Sequence, residues 1–90
     1  MKKRADIIFK GAVQGVGFRF TAENIANVIG LTGWVRNRPD GAVEVLCEGR
    51  EEDINALISR IEKEMGHYIH SVKTDWKNAT GEFKTFEITF

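Results

Sequence analysis

The chain has 90 residues, in which 13 basic and 13 acidic side chains cancel. That length leaves no room for a second core, so residues 1–90 are expected to fold as one domain. Without net charge, bulk electrostatics give no argument for a nucleic-acid or membrane partner, and a small anion would have to be drawn in by local charge.

Lys2-Lys3-Arg4 has the charge of a signal-peptide start. The apolar run after it is only Ile7-Ile8-Phe9, too short for secretion or for a membrane span. Ala5 to Lys10 reads as a first strand that stops at Gly11. The segment Gly11-Ala12-Val13-Gln14-Gly15-Val16-Gly17-Phe18-Arg19 follows as a loop. Phe18, Ala22, Ile25, Ala26 and Ile29 then recur at the spacing of an amphipathic helix, and Gly30 is placed to end it.

Leu31 to Arg38 and Ala42 to Glu48 flank Pro39-Asp40-Gly41, which makes a hairpin, since Pro fixes φ and Gly accepts the left-handed position. Alternation puts Gly33, Val35 and Asn37 on one face and Trp34, Arg36 and Arg38 on the other. On the partner strand Val43, Val45 and Cys47 alternate with Ala42, Glu44, Leu46 and Glu48. Cys47 thus reads as a small buried residue; being alone, it forms no internal disulfide and fits a reducing compartment, the cytoplasm. Asn37 follows the parity of an apolar position, which makes it either a turn residue or a group aimed at a site.

Gly49 is expected to end the hairpin, and Glu51, Glu52 and Asp53 to open a second helix, where its dipole favours acids. Ile54, Leu57, Ile58, Ile61 and Met65 form the buried stripe of that helix, Glu62, Lys63 and Glu64 its solvated face, and Gly66 its stop. Ile69 to Lys77 reads as a fourth strand with Val72 and Trp76 on one face. Asn78 to Glu82 is a loop, and the sequon Asn78-Ala79-Thr80 in it reads as loop polarity. Phe83 to Phe90 is a last strand with Phe86, Ile88 and Phe90 facing inward. The order is that of a ferredoxin-like β-α-β-β-α-β sandwich of the α+β class: an antiparallel sheet, two helices on one face, and an added C-terminal strand at an edge.

The loop before the first helix carries the chemistry. Gly11, Gly15 and Gly17 free its backbone to take positive φ and to approach a ligand closely. Consecutive amides in such a turn can form an anion nest, to which a helix N-terminus adds its unpaired N–H groups and positive dipole. Arg19 supplies a permanent charge and a planar fork of donors that matches two phosphate oxygens. The spacing alone leaves two readings open, a phosphate cradle or a tight connection with a solvated Arg. It is neither a Walker loop nor the dinucleotide fingerprint.

The whole nine-residue string resembles the signature of the acylphosphatases. A second segment of that family, Gly33-Trp34-Val35-Arg36-Asn37-Arg38-Pro39-Asp40-Gly41-Ala42-Val43, follows at the expected distance, and the similarity runs from about Ile7 to Phe90. The resemblance implies metal-free hydrolysis of acyl phosphates without a cofactor. It implies that Arg19 and the N–H groups of Gly15, Val16, Gly17, Phe18 and Arg19 hold the phosphoryl group, and that Asn37 positions the attacking water. Gln14 would hold the loop, and the side chains of Val16 and Phe18 would pack or shape its rim. Inorganic phosphate is the implied product, and nothing demands more than a monomer. Many members carry Gly-Pro-Pro-x-Ala-x-Val after the second helix. Here Gly66-His67-Tyr68-Ile69-His70-Ser71-Val72 stands in its place, without the rigid φ values of the prolines; that departure is expected to leave the cradle and Asn37 alone.

Two other readings compete. A non-catalytic effector-binding module of the same fold would keep the cradle, because fold does not fix function. An RNA-recognition sheet needs stacking aromatics on its central strands, where this chain has Ala42, Glu44, Leu46 and Glu48. His67 and His70 lie away from both motifs, with no third His or Cys in metal spacing. Trp34 and Trp76 read as packing residues.

Overall fold

The computed structural model describes residues 1–90. Five strands, β1 (Lys2–Gly11), β2 (Thr32–Asn37), β3 (Val43–Arg50), β4 (Ile69–Asn78) and β5 (Phe86–Ile88), form one sheet in the order β4-β1-β3-β2-β5. Helices α1 (Phe18–Ile29) and α2 (Glu51–Met65) supply the two crossovers. Among the first four strands every paired neighbour is antiparallel, as expected. β5 pairs parallel to β2 at the edge, so the complete sheet is mixed.

The core forms where the apolar face of the sheet meets the helices. In register, Ala5 faces Cys47, Ile7 faces Val45, Phe9 faces Val43, and Val35 faces Val45 from the other side. All of these are fully buried, as are Ala22, Ala26, Ile54, Leu57 and Ile61 of the helices. Ile58 is only half-buried at the margin of the α2 stripe. Gly33 lies opposite Cys47 with φ 136°, so close that a Cβ there would strike the Leu46 carbonyl. α1 stops because Gly30, at φ 95°, turns the chain so that its own N–H and that of the buried Leu31 both reach the Ala26 carbonyl at 2.9 Å.

Several expected boundaries move. β1 starts at Lys2, because Lys2–Arg4 find partners in Arg50–Glu48, a long-range pairing that local composition does not announce. Gly49 lies inside β3, where a Cβ would collide with the Leu31 side chain; the glycine answers a packing need and does not break the strand. The last strand is only three residues long. Phe86 and Ile88 turn inward as expected, but Phe90 is 97% exposed, because sheet pairing ends with the Thr89 N–H on the Val35 carbonyl at 2.9 Å.

The other face of the sheet carries charge that is not simply solvated. Glu44 and Glu48 are 7% and 4% exposed. Arg36 closes over Glu44 with its Nε at 3.1 Å and Nη2 at 2.9 Å from Oε1, covering it with its aliphatic stem. The segment from Thr80 to Glu82, which leads toward β5, lies over Glu48, and Arg4 ties Glu48 to Glu82.

Candidate active site

β1 ends in an irregularity at Lys10/Gly11, after which the Ala12 N–H is taken by the Tyr68 carbonyl at 2.9 Å. Gly11 runs against the backbone of Tyr68 to His70 too closely for any Cβ. The connection after α2, a 3₁₀ turn over Gly66–Tyr68, therefore supports the start of the loop and does not lie apart from it as the sequence suggested. Val13 plugs the loop into the core with no exposure. Gln14 then spans the site: its Nε2 donates to the Arg38 carbonyl at 2.7 Å and to the Ala42 carbonyl at 3.0 Å. The loop-holding role expected of Gln14 thus takes the form of a tie between the cradle and the hairpin.

Gly15 and Gly17 adopt φ of 77° and 79°, a left-handed geometry that costs other L-residues about 1–2 kcal/mol each. No backbone carbonyl or side-chain oxygen of the protein accepts an N–H of residues 15–20. The first acceptance into α1 comes only when the Thr21 N–H reaches the Gly17 carbonyl at 3.0 Å. These donors are left to water or a ligand, and α1 directs the positive end of its dipole to the same loop.

Opposite lies the end of β2. Asn37 is its last residue, half-buried and paired in register with Val43, and its amide has no hydrogen-bond partner in the protein. The turn beyond it is held by Asp40, whose Oδ1 accepts the Ala42 N–H at 3.1 Å. That bond, with Arg38 at 3.2 Å, keeps the Asp40 carboxyl below the usual carboxylate range. Gly15, Gly17, Phe18, Arg19 and Asn37 line one cleft of about 230 Å³. Of the expected site residues only Val16 has its side chain elsewhere, packed against the core. Phe18 is buried and packs against Phe9 with ring centroids 5.0 Å apart and the rings tilted by 58°.

The cleft also contains residues the sequence reading did not single out: Val13, Phe20, Ile88 and Phe90. Only the inward parity of Ile88 and Phe90 hinted at a role. The Phe90 ring lies 5.3 Å from the Arg19 guanidinium carbon. A cation held over the face of a ring at this distance is attracted to it without giving up a hydrogen bond. Arg19 has no ion pair and no hydrogen bond from its side chain to the protein.

Cys47 does not line this cleft. Burial, then the neighbouring Glu48 and Asp6, push its thiol up to about 12, which keeps it protonated and inert. No three His, Cys, Asp or Glu side chains gather into a group that could hold a metal ion. No helix is long and apolar enough to cross a membrane.

A family model described as Acylphosphatase matches residues 5–88. The chain is 38% identical over 90 residues to an acylphosphatase of Pelotomaculum thermopropionicum, spanning 99% of this chain and 98% of that protein. It is 40% identical over 91 residues to the acylphosphatase of Syntrophus aciditrophicus, covering 100% and 95%. Its fold is similar to the crystal structure of acylphosphatase from Bacillus subtilis, with a TM-score of 0.91 and 30% identity over 98% of this chain and 99% of that one.

Proposed function

The chain belongs to the acylphosphatase family, and on that premise we propose that it hydrolyses acyl phosphates by holding the phosphoryl group on the amides of Gly15, Val16, Gly17, Phe18 and Arg19 and on the Arg19 guanidinium, while Asn37 aims a water. The observation that carries this reading is the convergence of N–H groups without protein acceptors, an unpaired guanidinium and an unpaired carboxamide on one cleft.

The chemistry asks little more. An acyl phosphate is a mixed anhydride whose leaving group is a carboxylate, so no strong acid is needed to protonate the departing oxygen. The water oxygen attacks phosphorus in line, the bond between phosphorus and the acyl oxygen breaks, and charge spreads over the equatorial oxygens. Positioning and electrostatic stabilisation are then most of the task. The loop amides and Arg19 face that charge. The Asn37 side-chain oxygen accepts a hydrogen bond from the water but does not act as a base. The water's proton goes to a phosphoryl oxygen of the substrate, which accounts for the lack of a His or carboxylate among these residues. The products are a carboxylate and inorganic phosphate.

The test is steady-state hydrolysis of acetyl phosphate by the purified chain, with Arg19→Ala, Arg19→Lys and Asn37→Ala. Removing one preorganised donor is expected to lower kcat by roughly 10²–10³-fold. Inorganic phosphate should inhibit competitively, and chelator should have no effect. Near-native turnover by Arg19→Ala would overturn the assignment of that residue. Phosphate binding with no turnover of any acyl phosphate would favour a binding module.

A further inference from the structure

Ile8 and Lys10 alternate with the buried Ile7 and Phe9, so they belong to the sheet face turned away from the helices. In register, β4 sets Ser71 against Lys10 and Lys73 against Ile8. Lys10 and Lys73 are therefore diagonal neighbours on one face, a relation that spans about 7–8 Å in an antiparallel pair. Arg38 joins them from the hairpin turn. Ile8, Lys10, Arg38, Ser71 and Lys73 line a depression of about 280 Å³, which shares no residue with the cleft around Arg19 and Asn37.

Three cations from three separate segments meet there and no carboxylate lines the depression, although the chain as a whole has no net charge. Two acids on this side of the molecule are already taken, Asp40 by Arg38 at 3.2 Å and Glu44, opposite Ile8, by Arg36 at 2.9 Å. Lys10 and Lys73 form no ion pair in the protein. Like charges gathered in this way repel, and a bound anion replaces that repulsion with attraction. The Ser71 hydroxyl adds a donor. Ile8 is the one apolar residue in the lining, and there is no aromatic ring on which a base could stack.

We propose that this depression is a second anion site, which binds the triphosphate chain of a small ligand, whether inorganic or carried by a nucleotide. A chain of phosphates suits it better than a single one, because it carries more charge and has oxygens enough for cations on β1, β4 and the turn. The inference is independent of the acyl phosphate reading, since it uses none of the residues assigned to that reaction.

The experiment titrates the 15N-labelled chain with inorganic triphosphate, with ATP in the presence of chelator, and with orthophosphate. Backbone amides of residues 8–10 and 71–73 report the depression by NMR, and those of residues 15–20 report the cradle separately. Triphosphate and ATP should shift the first set alike, because the base is not read; stacking would tighten ATP by roughly five-fold or more. Orthophosphate, with less charge, should bind there more weakly than either. Each exposed lysine contributes about two- to five-fold, so Lys10→Gln combined with Lys73→Gln should weaken triphosphate binding at the strands by about four- to twenty-fold. The response of residues 15–20 to orthophosphate should stay unchanged in that variant. Both lysines are exposed, and the dispersion of the same spectra checks the fold. Shifts confined to residues 15–20, an unchanged affinity in the double variant, or orthophosphate binding as tightly as triphosphate would overturn the site. ATP binding more than about five-fold tighter than triphosphate would overturn the ligand class.

Discussion

Replacing Glu48 by Gln keeps the side-chain volume and deletes one charge from a group that is 4% exposed. In the native chain its carboxylate accepts Arg4 Nε at 2.8 Å, the Thr80 N–H at 2.8 Å, the Thr80 hydroxyl at 3.2 Å and the Gly81 N–H at 2.9 Å. Burial alone would push this carboxyl up. The Thr80 N–H, Arg4, the Gly81 N–H and the Thr80 hydroxyl together outweigh it and bring the carboxyl down to about 2. A Gln must turn an NH2 toward at least one of these donors. Removing one partner of a fully enclosed ion pair costs about 3–5 kcal/mol. Arg4 is 16% exposed and keeps Glu82, so the expected loss is smaller, about 2–3 kcal/mol.

In a domain of this size each kcal/mol moves Tm by roughly 4–8 °C, so the variant should melt roughly 10–20 °C lower at pH 7. The pH dependence follows from the direction of the shift. The folded carboxyl titrates below its ordinary 4.5, so its contribution is complete above that value and is lost as pH falls through about 2. Thermal and urea melts of both proteins should therefore converge between those limits. A Tm difference under about 3 °C at pH 7, or a gap that persists in acid, would refute the electrostatic account.

Asp6 has the opposite sign. Burial first, and then Glu44 beside it, raise its carboxyl from 3.8 to about 6, with Asp75 adding to the effect, Lys77 opposing it, and Oδ1 left buried without a partner. Its penalty is absent below 3.8 and complete above about 6, so Asp6→Asn should stabilise at pH 7 by about 1 kcal/mol after allowance for partial solvation. Urea melts at pH 7 and pH 4 check that the gain disappears in acid. Gln14→Ala cuts both ties from the cradle to the hairpin and should cost about ten-fold in kcat, with Tm within about 5 °C, read from parallel kinetics and melts. Gly17→Ala meets open space and should be destabilised only by the left-handed strain it introduces, about 1–2 kcal/mol. Gly33→Ala, driven into the Leu46 carbonyl, should not yield a folded protein by circular dichroism.

The elements set by local chemistry were legible from residues alone. The apolar stripes of both helices, the stop at Gly30 and the turn at Pro39-Asp40-Gly41 are written in spacing and in backbone preference, and they point to the ferredoxin-like order by themselves. What depended on distant partners was not. Lys2–Arg4 join β1 only because Glu48–Arg50 and Lys77–Asn78 are there to pair with them. Gly49 looked like a break and is instead the space taken by Leu31. Glu44 and Glu48 have the parity of a solvated face, yet Arg36 and the Thr80 segment cover them. At the candidate site, the glycines and Arg19 stand out through their residue types and the family string, and the structure brings Gly15, Gly17 and Arg19 to one cleft. Phe20 and Phe90 do not stand out, since nothing in an isolated sequence says which exposed ring stands beside a cleft. Phe90 was expected to face inward, and three residues of parallel pairing were too few to carry it there.

The 3₁₀ turn Gly66–Tyr68, which stands where the family resemblance implies two prolines, holds Ala12 through the carbonyl of Tyr68. A pyrrolidine ring keeps its shape at any temperature, because the constraint is covalent. A short turn kept by hydrogen bonds has its own opening equilibrium, set below that of the core. Warming should therefore slacken the loop from Gly11 to Arg19, and with it the proposed hold on the phosphoryl group, before the sheet gives way, and the curve of catalytic rate against temperature should bend over while the far-ultraviolet signal is still flat.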